Sequence, residues 1–289
     1  MRRAIRSLEF KLQLVFVVMN KDELMQLAGN PNLISGIYNY CDRWCERCAF
    51  SSRCFLYTTE TADPDLDAPD VRDLNNVKFW RKLESIFKDA NELIKKCAAE
   101  AGIDLDAIDQ SEVAAAHDQE TEDARRDEFS VLARNYARSV DTWFENELVA
   151  AEQLDDDAQF QAKSAGIEID AQDAFEVIRW YQFFIAAKVF RALLGSDDEL
   201  RGVYPDNSGD EINPAQTDAN GSAKIALIAI DRSLGAWRII QSCVPAKQKS
   251  IAPLMAVLED LRNGIETALP LARDFIRPGF DEEMSQYAS

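Results

Sequence analysis

Cys41, Cys45, Cys48 and Cys54 fall within fourteen residues, in the run Cys41-Asp42-Arg43-Trp44-Cys45-Glu46-Arg47-Cys48-Ala49-Phe50-Ser51-Ser52-Arg53-Cys54. Their spacing is C-x3-C-x2-C-x5-C. Thiolates bind soft and borderline metals well, and four from so short a stretch can surround one zinc ion or one iron–sulfur cluster unaided. The same sulfurs could instead pair as disulfides. A chain of 289 residues can bury a core without such staples, so clustered C-x2-C spacing reads first as metal binding. The spacing does not choose the metal. Zinc sites usually combine two separated C-x2-C pairs, and this run holds one, Cys45 and Cys48, flanked by single cysteines.

Four ligands in one run are similar to a ferredoxin-type cluster loop, although the spacing differs from the bacterial one and no proline follows Cys54. The first three cysteines also reproduce the C-x3-C-x2-C spacing of radical S-adenosylmethionine enzymes, a resemblance that covers three residues. Those enzymes set it in a loop of a β/α barrel, and no run of strands alternating with helices is visible here. Around the sulfurs stand Trp44, Phe50, Phe55 and Tyr57, which read as packing for a small module. Arg43, Arg47 and Arg53 could offset thiolate charge or donate hydrogen bonds to sulfur.

Other chemistries find less support. A ferritin-like di-metal site needs Glu-x-x-His pairs, and the one histidine, His117, has no Glu three residues before it. His117 reads as a surface residue. Asp104, Asp106, Asp109 and Glu112 lack the central glycine and ligand spacing of a calcium loop, so residues 103–121 read as a solvated connection. Cys97 and Cys243 sit singly on apolar patterns and read as small buried hydrophobes. Lys224, Asp231 and Arg238 recur every seven residues. They read as a solvated stripe on a peripheral helix, the alternative being a buried polar seam against Arg179, Gln182, Lys188 and Arg191. Neither a phosphate-binding glycine loop nor a nucleophile elbow occurs.

Charge narrows the partners. Lys and Arg number 32 against 51 Asp and Glu, for a net of −19, yet residues 1–58 carry eight basic and five acidic side chains. The acidic remainder argues against nucleic acid, whose phosphates must be neutralised. The apolar run Leu12 to Met19 is too short to span a bilayer, and Lys21-Asp22-Glu23 follows where a signal peptide would be cleaved. It reads as a terminal extension, with Met19 an alternative start. No membrane is expected, a protein partner is left open, and the location is read as cytoplasmic.

The positioning elements are helical, since 11 Gly and 9 Pro are few for this length. A short helix carries Leu33, Ile34, Ile37 and Tyr38 toward Cys41. A core helix from Asp73 to Gly102 presents Val77, Trp80, Leu83, Phe87, Ala90, Ile94 and Cys97 on one face. A second runs from Glu122 with Phe129, Leu132, Tyr136, Val140 and Trp143 inward, toward Asp155-Asp156-Asp157. The third, from Ala171 to Leu194 with Gly195 as its stop, is apolar nearly all round and should lie centrally. The fourth spans Ser222 to Cys243. The fifth begins near Ser250 and is kinked by Pro270, and the tail after Pro278 is expected to be loose. These spans predict an all-α protein: an N-terminal extension (1–30), a cysteine metal-binding module (31–58), a linker (59–72) and a bundle of about five long helices (73–280). The function expected is metal binding at Cys41, Cys45, Cys48 and Cys54, either structural through zinc or as an iron–sulfur cluster for electron transfer or sensing. The alternative is a non-catalytic scaffold or partner-binding protein with bridged or free cysteines.

Overall fold

The computed structural model describes residues 26–61, 76–151, 171–200 and 213–281. The apolar run Leu12 to Met19, most of the linker, Asp155 to Asp157 and residues 201–212 lie outside them. In chain order the helices are α1 (Phe55–Thr61), α2 (Val77–Glu100), α3 (Gln110–Arg126), α4 (Glu128–Ala151), α5 (Ala171–Leu200), α6 (Asp218–Cys243) and α7 (Gln248–Ala268). The described residues are mostly helical and contain no strand, and none of their helices is long and apolar enough to cross a membrane. Among these residues there is thus no β/α barrel to house a radical-enzyme loop. The chain divides into two compact units, Met1–Ala116 with Pro278–Ser289, and His117–Arg277.

The larger unit is a four-helix bundle. Each of α4 to α7 packs on the next, and α7 returns to α4. Neighbours run antiparallel. The end of α4 meets the start of α5 where Trp143 and Phe144 stack on Phe175. Arg191 late in α5 pairs with Asp218 at the start of α6, at 2.9 Å. Arg262 late in α7 reaches Asp231 midway along α6, and Trp143 donates to Ser250 at the start of α7. This is up-down-up-down connectivity. Its centre holds Tyr136, Ile178, Tyr181, Ile185, Ile230 and Trp237, all buried.

Several elements differ from the sequence expectation. Residues 33–40 form successive turns instead of a helix, although Ile34 and Ile37 are buried as a helix would have buried them. Residues 103–121 are a connection only as far as Asp109, after which α3 begins. Gly195 does not stop α5, which continues to Leu200. Its missing Cβ faces the backbone of Ala219, so the glycine eases a close helix crossing. Pro270 lies beyond the end of α7 at Ala268 and terminates that helix instead of kinking it.

Helix α6 is the opposite of peripheral: Ala219, Ala223, Ala226 and Ala229 let its neighbours approach closely, and most of its residues between Ala219 and Ile240 are buried. Its line of charges still behaves as a stripe. Asp231 meets Arg273 at 3.0 Å, Arg238 faces Glu259, and Lys224 donates to the carbonyl of Phe275. These partners come from α7 and the segment after it, and Asp231 and Arg238 remain partly exposed. The expected core helix α2 shows the largest departure: Val77, Trp80, Phe87, Leu93, Ile94 and Cys97 are exposed. Cys97 is therefore no buried hydrophobe, and Cys243 is half-buried. His117 is exposed, as expected.

Candidate metal centre

The cysteine segment is built from turns because its side chains favour them over long helices. Asp42 accepts the Trp44 N–H at 3.2 Å, and Arg43 adopts the left-handed region at φ 59°. That conformation, rare for a residue with a Cβ, redirects the chain between Cys41 and Cys45. Two single-turn 3₁₀ segments follow, Cys45–Arg47 and Ser51–Arg53. Each closes on a cysteine: the Cys48 N–H bonds to the Cys45 carbonyl, and the Cys54 N–H bonds to the Ser51 carbonyl. The carbonyl of Cys54 then accepts from Thr58 as α1 begins.

Two clamps hold this loop. The Ile34 N–H donates to the Arg53 carbonyl at 2.9 Å, and Arg53 Nε donates to the Asn32 carbonyl at 3.1 Å. The C-terminal segment supplies the other. Gly279, at φ 74°, lies so close to Ile34 and Ile37 that a Cβ there would stand 3.0 Å from their side chains. Phe280 packs edge-on against Phe50 with ring centres 5.2 Å apart. The chain after Pro278 is thus seated on the module at these two residues, and not loose. Sequence reasoning missed Phe280 because nothing within its neighbourhood links it to a segment more than two hundred residues away. Pro278-Gly279 does carry a local turn signal.

Cys41, Cys45, Cys48 and Cys54 line one small cavity, together with Ile37, Trp44, Tyr57 and Phe280. All four are free thiols. The Phe50 N–H points at Cys48 Sγ at 3.4 Å, and Cys41 Sγ lies 3.6 Å from the Tyr38 carbonyl. Burial raises the Cys41 thiol above its ordinary pKa, against the lowering effect of the Arg43 backbone and side chain. Burial pushes Cys45 up to about 11, with the sulfurs of Cys41 and Cys54 adding to the effect and the Arg43 guanidinium opposing it. A sulfur-lined, half-buried hollow of this kind penalises thiolate charge until a cation enters. Among the described residues, no group of three or more His, Cys, Asp or Glu side chains stands in an arrangement that could hold a metal ion as placed. The four sulfurs share a cavity without converging on one point.

Arg43 bonds Glu60 at 2.7 Å, and Arg47 stacks over Trp44 at 3.8 Å. A main-chain N–H, that of Phe50, is directed at the Cys48 sulfur. No family model, curated protein or solved structure matches this chain.

Proposed function

We propose that Cys41, Cys45, Cys48 and Cys54 bind one metal centre, zinc or an iron–sulfur cluster, which holds the turn-rich module together. The observation that carries this reading is the common cavity: four free thiols face it, from a segment with little regular structure of its own. A module of this size buries few side chains, and small units of that kind generally need a cross-link or a metal to persist. Bringing the sulfurs onto one ion takes side-chain rotation, and a change of χ1 well carries a sulfur about 3 Å. The donor set fits either metal, being all thiolate, and the aromatic rim of Trp44, Tyr57 and Phe280 limits water access.

Metal analysis with an absorption spectrum of anaerobically purified protein tests this. One zinc per chain and no colour supports a structural site. Iron with sulfide, and charge-transfer bands near about 400 nm, supports a cluster. No metal, with thiols free or bridged, refutes both and leaves the helical scaffold.

A further inference from the structure

Helix α2 carries an apolar face built like a core and placed in water. Phe79, Leu83, Ile86, Ala90, Leu93 and Cys97 alternate at spacings of four and three, which is the repeat of a coiled-coil seam. Trp80, Phe87 and Ile94 run beside that seam at intervals of seven. The resulting face spans three positions of each heptad, as in helices that pack into a bundle. Yet Phe87 is 64% exposed, Ile94 58% and Trp80 52%.

We infer that α2 is a dimerisation helix that pairs antiparallel with α2 of a second copy of this chain. Three observations select that occupant. First, the order of side-chain sizes is self-complementary about Lys88. Antiparallel pairing sets Phe79 against Cys97 of the second copy, Ile86 against Ala90 and Leu83 against Leu93. Large residues meet small ones in two of the three layers, which fills the seam evenly. Phe87 then meets its own copy at the two-fold axis, with Trp80 facing Ile94. A closed, isologous contact of this kind stops at a dimer.

Second, charge favours this face for self-contact. The chain carries a net −19, so most of its surface repels a second copy. Helix α2 holds six Lys and Arg against four Asp and Glu, which spares it that repulsion. A lipid surface fits less well, because Glu84, Asp89 and Glu100 sit along the rim where a membrane-binding helix carries basic residues. Third, the area suffices. Trp80, Phe87, Leu93 and Ile94 leave on the order of 500 Å² of apolar surface in water, at the upper end for a monomer. Two such faces together reach about 1,000 Å², the floor for a specific interface.

Sedimentation equilibrium of the full chain from about 1 to 100 μM tests the inference. A concentration-dependent dimer is expected, weakened at least tenfold by Phe87→Glu with far-ultraviolet helicity unchanged. Val113→Glu, at another exposed apolar side chain on α3, should leave it intact. Mild oxidation of Phe79→Cys should link that residue to Cys97 of the second copy, as mapped by mass spectrometry. A monomer at every concentration overturns the inference, as does a dimer indifferent to Phe87→Glu. A Cys97–Cys97 bond would mean parallel pairing and overturn the register. Binding of the monomer to anionic vesicles, lost in Phe87→Glu, would assign the face to lipid instead.

Discussion

Gly264 on α7 gives Phe129 on α4 its place: a Cβ on that glycine would stand 2.1 Å from the ring's Cε1. The ring occupies the space that any other residue's first side-chain atom would take. Gly264→Ala must therefore displace the ring or separate the two helices. Overpacking of this kind costs about 1–3 kcal/mol, which denaturant unfolding would read. Phe129→Leu in the same chain should recover part of the loss, and additive losses would show that the contact is not the cause.

Trp237 Nε1 donates to the Tyr136 hydroxyl at 3.0 Å, with both side chains fully buried. Burial also holds the Tyr136 pKa well above the ordinary phenol value. Tyr136→Phe keeps the ring and strands the indole N–H in an apolar site. A stranded buried donor costs about 1–3 kcal/mol. The same substitution at Tyr57, which packs in the other unit, should leave the bundle's unfolding midpoint unchanged.

Helical periodicity made the bundle legible, because Tyr136, Val140 and Trp143 repeat at the spacing of one buried face. That logic failed for α2, whose stripe is as regular but exposed. Periodicity says that a face seeks cover, and not which surface supplies it. The cysteine cluster was legible from spacing alone, whereas its seat was not. Gly279 and Phe280 approach Ile37 and Phe50 from the far end of the chain, and no local pattern encodes that meeting. The start of α3 was legible and overlooked. Asp109 followed three residues later by Glu112 is a helix-start signature, but the run's acidity suggested a loop.

Asp109 accepts hydrogen bonds from the Ser111 N–H at 2.9 Å, the Ser111 hydroxyl at 2.6 Å and the Glu112 N–H at 3.2 Å. These hold its carboxyl below the ordinary value of 3.8. A depressed folded pKa means the cap stabilises α3 fully above 3.8 and loses that effect as pH falls through the folded value. Amide exchange at residues 110–114 should thus accelerate in acid, relative to the bundle core, once the carboxylate protonates. Asp109→Asn keeps a capping oxygen and should flatten the pH dependence, whereas Asp109→Ala should fray the turn at every pH. Equal pH profiles in wild type and Asp109→Asn would show that another group titrates.

Removing one sulfur should loosen the cysteine module and spare the bundle. The bundle's core residues, among them Trp237, Tyr136 and Ile185, are contributed by α4 to α7 within His117–Arg277. The module instead depends on turns, on the Ile34–Arg53 backbone bond and on Gly279 and Phe280. Cys45→Ser replaces a thiolate by a hydroxyl, a poor ligand for zinc or iron, and three sulfurs cannot close a four-ligand shell. If the metal centre holds this unit, the variant should lose its metal and exchange the Ile34 amide rapidly. Phe280 should come free with it, so that protease nicks the chain at both ends while near-ultraviolet ellipticity from Trp143 and Trp237 persists. Far-ultraviolet helicity should change little, because the affected residues form turns and one short helix. Loss of the tryptophan signal along with the module would make the two units one cooperative structure. Full protection of Ile34 in a metal-free variant would show that packing by Gly279 and Phe280 suffices, and that the thiols serve another purpose.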